Sequence, residues 1–302
     1  MRELYKEISF KESSLFLINC VNQVIDEYEQ MGYSLTLRQV YYQLVARAII
    51  PNNERSYKNL GNLISDGRIA GLIDWNAIED RTRNLRENPH WAQPDEIIQS
   101  AANQFALNKW EGQAYYVEVW VEKDALVGVV GQACQRLDVP FFSCRGYVSQ
   151  SEMYSAAKRF IRMGSRFEGQ QPVILHLGDH DPSGRDMSRD IQDRLETFGA
   201  DIEFKRIALN MDQIELYDPP PNPAKITDSR SSGYIERFGY ESWELDALRP
   251  DVIEQLIEEE VRKFLDVDLF KAASNEEKQH RELLRRASQR WVDIVNLLNS
   301  EE

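Results

Sequence analysis

At 302 residues, 42% hydrophobic and 28% charged, the chain is long enough for two domains with their own cores and has the composition of a soluble globular protein, not a disordered one. No apolar run reaches bilayer length and the first residues lack the apolar core of a secretory signal, so no membrane is expected and a cytoplasmic location is; three scattered cysteines, Cys20, Cys134 and Cys144, give neither a zinc pattern nor a disulfide framework. The net charge of −14 argues against strong indiscriminate binding to nucleic acid, but residues 241–302 hold sixteen acids against nine Lys or Arg, while residues 36–86 hold eight basic against five acidic residues, an excess of +3 that can meet phosphates.

Residues 1–86 read as a helical domain. SSLFLINCVNQVIDEYEQM has helical apolar spacing through Leu15, Ile18, Val21 and Ile25. After a break at Gly32, Thr36 and Gln39 form a capping-box pattern, and Leu37, Val40, Tyr41, Leu44, Val45 and Ala48 make a buried stripe. Pro51 ends that helix. ERSYKNLGNLISDGRIAGLI begins another, with Leu60, Leu63 and Ile64 inward and Arg55, Lys58, Asn62 and Ser65 on the opposite face. Two helices joined by a short turn, the second with a basic polar face and then the extended WNAIEDRTRN, read as a winged helix-turn-helix; a helical module that binds protein is the plainer alternative.

Residues 87–112 carry two prolines and one helix opening at Pro94-Asp95, and are expected to link two domains. Over 113–210 the pattern changes to strands alternating with helices: YYVEVWV, VPFFSC, PVILHLGD and IEFKRIAL separated by amphipathic segments, which predicts an α/β domain with a mostly parallel, Rossmann-like sheet covered on both faces. Residues 211–302 extend it through a proline-rich loop, WELDAL and charged C-terminal helices. No Gly-rich dinucleotide or NTP cradle is present.

Three carboxylates stand at predicted strand ends: Glu122, Asp179 and Asp181. In a parallel sheet that is where ligands bind, and acids gathered there repel one another unless a hard cation such as Mg²⁺ or Mn²⁺ joins them. The plainer reading, that the aspartates cap the next helix, accounts for one acid and leaves Glu122 unexplained. His180, between the aspartates, points away from them by strand alternation, and Lys123 and Arg185 beside these motifs are expected to be solvated.

VEKDAL (121–126), CRGYVSQSE (144–152) and GDHDPSG (178–184), in this order, resemble the Toprim domain of the topoisomerase VI A subunit and the meiotic double-strand-break transesterases; TLRQVYYQL (36–44) resembles the Arg-x-x-Tyr-Tyr helix of that family's CAP-like winged helix. The resemblance covers roughly residues 36–265 and rests on three agreeing Toprim motifs. It implies a homodimer that binds double-stranded DNA across both domains and cuts it by tyrosine attack, leaving a 5′-phosphotyrosyl link, with Mg²⁺ on the residues matching Glu122, Asp179 and Asp181. RGYVSQ departs from the family's Gly-Tyr-Pro-Asp type of segment. The ATPase is absent, so a separate ATPase subunit would be the partner for strand passage.

Periodicity separates the two tyrosines. Tyr41 lies in the apolar stripe, whereas Tyr42 is turned about 100° away, one turn above Arg38, and is expected on an exposed face. The resemblance agrees that the second tyrosine is catalytic. Tyr42 is then the nucleophile, Arg38 and Arg145 steady the phosphoryl oxygens, and Tyr42 of one protomer meets the acids of the other. Arg55, Lys58 and Asn62, with Arg68 further along the same helix and Arg145 in RGY, are the DNA-contact candidates. Glu244 and Asp246 are further acids, structural or supporting. Two alternatives remain: a Toprim nuclease that hydrolyses DNA with water and needs no Tyr42, and a noncatalytic DNA-binding protein.

Overall fold

The computed structural model describes residues 2–79, 88–165, 169–225, 227–228 and 230–300. Three helices open the chain: α1 (Glu12–Gln30), α2 (Leu37–Ala46) and α3 (Glu54–Ile69). α2 starts where the capping box predicts, with the Gln39 backbone N–H donating to Thr36 Oγ1 at 3.3 Å and the Thr36 N–H to Gln39 Oε1 at 2.8 Å. α3 is capped by Asn53, whose Oδ1 accepts from the Ser56 N–H at 2.9 Å. The three helices close over one core containing Val21, Val24, Ile25 and Tyr28 of α1, Val40 and Leu44 of α2, and Leu60 and Ile64 of α3.

The expected wing is not a strand among the described residues. There the extended chain makes only isolated bridges, Leu35 to Ile78 and Leu4 to Ala70. Asp80 to Asn84 of the predicted wing lie outside the described residues.

The α/β alternation is as expected. β1 (Tyr115–Val121), α5 (Val127–Leu137), β2 (Phe141–Ser143), α6 (Gln150–Met163), β3 (Gln171–Leu177), α7 (Pro182–Thr197) and β4 (Glu203–Ala208) build a four-stranded sheet in the order β2-β1-β3-β4, parallel throughout. β1 and β3 are central and pair over their whole length, from Tyr115 with Gln171 to Val121 with Leu177. Their apolar runs are continuous because both faces are covered. Val117, Val119 and Val121 belong to a core with α5, while Trp120 and Ile174 join Phe160 and Ile191 of α6 and α7 on the other face.

The chain steps from β1 outward to β2, then returns to the opposite side of β1 to lay down β3. At such a reversal the connections leave in opposite directions and the carboxyl ends of the two strands open a crevice. Glu122 and Asp179 are the residues at those ends, and the Glu122 N–H donates to the Leu177 carbonyl at 2.8 Å.

The remaining elements tie the two layers together. α8 (Met211–Tyr217) follows the sheet, and α9 (Ser231–Phe238) lies between the paired strands β5 (Asn222–Pro223) and β6 (Glu241–Ser242). α10 (Pro250–Val261) packs on α5. The predicted linker is a packed element: α4 (Pro94–Gln104) lies against α11 (Val267–Gln289), and Glu277 of α11 accepts from the Leu107 N–H at 3.0 Å and Lys109 Nζ at 2.7 Å. α12 (Trp291–Ser300) ends the described chain with Val292, Leu297 and Leu298 exposed. No helix among the described residues is long and apolar enough to cross a membrane.

Candidate functional site

Ala247, just past β6, is buried in the core of the helical domain, so the WELDAL segment draws α2 onto the end of the parallel sheet. Between them lies a cleft of ≈ 370 Å³. Arg38, Tyr41, Tyr42, Asn52 and Tyr57 line it from the helical side, and Asp181, Lys225, Trp243 and Glu244 from the other. One chain thus brings its tyrosine pair and one strand-end acid, Asp181, to one cavity, where the sequence led us to expect a tyrosine meeting the acids of a partner.

Each of the three expected metal-binding carboxylates is anchored by one oxygen. Glu122 Oε2 accepts from the Asp179 N–H at 2.9 Å, Asp179 Oδ1 accepts from the Leu245 N–H at 2.7 Å, and Asp181 Oδ1 caps α7 through the Gly184 N–H at 2.6 Å. The helix-cap reading is therefore right for Asp181. The glycines of GDHDPSG make room for this: a Cβ on Gly178 or on Gly184 would stand 2.9 Å from Glu122 Oε2, and one on Gly184 would also collide with the Asp179 carbonyl. Beneath the loop, Arg206 Nη2 donates to the carbonyls of Gly178 at 2.7 Å and Asp179 at 2.6 Å.

Lys123 corrects the expectation of a solvated side chain. Its ammonium is buried among acids, 2.9 Å from Asp179 Oδ1, 3.1 Å from Asp246 Oδ1, and in contact with Glu244 Oε2. Burial opposes its charge, but Asp179, Asp246 and Glu244 outweigh that and raise its pKa. Arg38 is the second cation, with Nη2 2.6 Å from Glu244 Oε2 and Nε 2.6 Å from Asp246 Oδ2. Among the described residues Lys123 and Arg38 pair with three acids, Asp179, Glu244 and Asp246, more than two cations can neutralise. Burial, reinforced by Glu122, Glu244 and Asp246, therefore pushes Asp179 well above the ordinary carboxylate range, and burial also raises Glu122. For Glu244 burial is outweighed by Lys123 and Arg38, which hold it below that range.

Tyr42 is not exposed as the helical period implied. It is 5% accessible and Tyr41 4%, because α2 lies between two layers and both of its faces are covered. The hydroxyls still differ. Tyr41 donates to Asn52 Oδ1 at 3.0 Å or the Asn53 carbonyl at 3.2 Å, whereas the Tyr42 hydroxyl has no hydrogen-bond partner among the described residues, and Tyr42 lines the cleft. The Arg38 guanidinium lies 5.7 Å from the Tyr42 ring centroid. Burial first, then Glu244 and Asp246, push the Tyr42 phenol up to about 12, against the pull of Arg38 and Lys123.

The expected DNA contacts divide. Arg55, Lys58 and Asn62 are exposed on one face of α3, Lys58 pairing with Glu54 at 2.8 Å. Arg68 does not join them: its guanidinium turns inward, donating to the carbonyls of Trp75 at 3.0 Å and Ile78, and fastens the chain beyond α3. Arg145, in a left-handed backbone conformation, is exposed with Nε 3.0 Å from Asp124 Oδ1. His180 points away from the aspartates as expected, its Nδ1 2.8 Å from the Tyr234 hydroxyl. Sequence reasoning missed Arg206 and the burial of Lys123; the acid count of WELDAL was the available signal for Glu244 and Asp246.

Among the described residues no three His, Cys, Asp or Glu side chains converge as a ready cage for a metal ion. The donor set nonetheless suits Mg²⁺: Glu122, Asp179 and Asp181 each keep a second oxygen without a partner among the described residues, and Mg²⁺ commonly uses one or two carboxylates with water and substrate phosphate. No family model, curated protein or solved structure matches this chain.

Proposed function

We propose that the protein is a DNA-cleaving transesterase of the topoisomerase VI A type, a winged-helix-like domain joined to a Toprim-like domain, acting in the cytoplasm on double-stranded DNA. The observation that supports this reading is the shared cleft, lined by Tyr42, whose hydroxyl has no hydrogen-bond partner among the described residues, with Arg38 on the same wall and Asp181 and Glu244 on the other. In the reaction the Tyr42 hydroxyl loses its proton and its oxygen forms a bond to phosphorus. The bond to the 3′-oxygen breaks, that oxygen takes a proton, and the 5′ end is left on the tyrosine. Arg38 holds the phosphoryl oxygens, and Arg55, Lys58 and Asn62 with Arg145 meet the flanking backbone. Glu122, Asp179 and Asp181 would hold Mg²⁺ or Mn²⁺, which when bound supplies positive charge for the phosphate and the leaving oxygen.

A homodimer fits this chemistry because a double-strand break needs two tyrosines. With Tyr42 and Asp181 of one chain in one cleft, each protomer would cut one strand and the two-fold axis would pair the cuts. A separate ATPase subunit would be needed to turn cleavage into strand passage. The raised Tyr42 pKa favours one second reading, a metal-dependent nuclease in which water attacks. Incubation with end-labelled duplex DNA and Mg²⁺, followed by denaturation, decides between them. A protein-linked 5′ end that disappears in Tyr42→Phe supports the transesterase; undiminished cutting by Tyr42→Phe, without a covalent link, would falsify it.

A further inference from the structure

We propose that the Glu244 carboxylate occupies the position that a DNA phosphodiester takes when substrate binds, so that Arg38 and Lys123 form a two-cation phosphate clamp closed by the chain's own side chain. This rests on the reading of the cleft as a DNA site. One carboxylate oxygen, Oε2, receives both Arg38 Nη2 at 2.6 Å and the Lys123 ammonium. Charged donors from two directions on a single anionic oxygen are what a nonbridging phosphate oxygen also seeks.

Of the three acids on these cations, Glu244 is the one able to leave. Its side chain is 25% accessible and lines the cleft, while those of Asp179 and Asp246 are 8% and 0% accessible. Asp179 and Asp246 also grip Lys123, and Asp246 grips Arg38, so the two cations keep their places when Glu244 swings out. The backbone around Glu244 is pinned on both sides. Trp243 exchanges hydrogen bonds with His180 at 2.8 and 2.9 Å, and the Leu245 N–H is held by Asp179. Opening the clamp is therefore a side-chain rotation.

The charge count points the same way. Three carboxylates on two cations repel a phosphate, and departure of Glu244 leaves two on two. A phosphate held there lies beside the Tyr42 ring, which Arg38 already touches. Loss of Glu244 also removes one of the charges that hold the Tyr42 phenol up.

The test is duplex binding by fluorescence anisotropy in a Tyr42→Phe background, which prevents covalent capture. Glu244→Gln should tighten binding about tenfold, and Arg38→Ala should weaken binding more in the Glu244→Gln protein than in its absence, since the carboxylate no longer engages the guanidinium. Glu241→Gln, the same charge change at an exposed position off the clamp, should leave affinity unchanged. Thermal melting checks that each variant is folded. Unchanged or weaker binding by folded Glu244→Gln overturns the clamp, as do strictly additive effects with Arg38→Ala or equal tightening by Glu241→Gln. Tightening by Glu244→Gln in a protein whose Tyr42 never links to DNA would instead sink the transesterase and leave the clamp standing.

Discussion

Glu118, buried inside β1, and Glu122, half-buried just beyond its end, are two acids on the same stretch of chain with opposite surroundings. Glu118 Oε1 accepts from the Tyr116 hydroxyl at 2.8 Å and Arg159 Nε at 2.5 Å, and its Oε2 accepts from Trp120 Nε1 at 2.8 Å and Arg159 Nη2 at 3.0 Å. Every lone pair has a fixed donor and one guanidinium matches one carboxylate. Glu122 instead keeps one oxygen without a partner among the described residues and looks onto a cluster in which, among those residues, acids outnumber cations. A buried charge with all its partners supplied is architecture; a group of acids left short of positive charge is where a ligand can still contribute.

Removing the carboxylate should therefore do most harm where it is best satisfied. Glu118→Ala leaves the buried Trp120 indole N–H without a partner and unpairs the half-buried Arg159 guanidinium, and should cost about 3 kcal/mol in urea unfolding. DNA binding per folded molecule should be unaffected. A loss of stability no larger than that of an exposed Glu→Ala change would show that the two environments do not differ as described.

The loop beneath Glu122 gives the next largest effect. In Gly184→Ala the new methyl meets the Asp179 carbonyl and Glu122 Oε2 at once, and backbone cannot yield cheaply, so a loss of about 2 kcal/mol is expected. Mn²⁺ affinity measured calorimetrically should fall with it, because the same methyl displaces Glu122. Gly233→Ala, with open space around the added carbon, is the matched control and should change neither.

How far this contrast was legible in the sequence depended on range. YYVEVWV and QSEMYSAAKRFIRM coincide with β1 and α6, because a short run of β-branched and aromatic residues and helical spacing are local signals. The Thr36 capping box was equally plain. Periodicity failed at Tyr42, since it reports contact with one layer and α2 has a second layer over its other face. Lys123 was misread for a related reason: a charged side chain looks solvated until a distant segment brings its partners, here Glu244 and Asp246. Arg68, expected to meet DNA, instead turns to the nearby carbonyls of Trp75 and Ile78, a backbone contact that side-chain patterning does not report. The cleft itself joins residues about 200 positions apart, as Arg38 and Glu244 are, and no local pattern encodes that contact.

The histidines beside the cleft sharpen the comparison through pH. Burial lowers His176 to about 3 and His180 to about 4 from an ordinary value of 6.5. With folded pKa values depressed, their contribution to stability is fully present above about 6.5 and is lost as pH falls towards 3 to 4, where the unfolded chain binds protons that the native one refuses. Asp179 has the opposite sign: its raised pKa gives stability at low pH that is lost as pH rises through the folded value. The two histidines should lower the melting temperature on acidification below pH 6.5, with Asp179 offsetting part of the fall, and His180→Asn should flatten that fall. An acid limb of equal slope in wild type and variant would remove His180 from the account.

The two tyrosines carry the same contrast to its smallest scale. The Tyr41 hydroxyl is held by Asn52 and the Asn53 carbonyl, so Tyr41→Phe removes a part-buried hydrogen bond and should cost about 1 kcal/mol in unfolding free energy. The Tyr42 hydroxyl has no partner among the described residues, and Tyr42→Phe should leave stability within about 0.5 kcal/mol of wild type. If Tyr42 is the nucleophile, the chemistry runs the other way: Tyr41→Phe keeps covalent capture of DNA 5′ ends and Tyr42→Phe abolishes it. The pair of variants thus separates a hydroxyl that holds the fold from one without a partner among the described residues. Equal stability losses for both would mean that Tyr42 is packed and bonded like its neighbour, and the cleft would then lack a nucleophile.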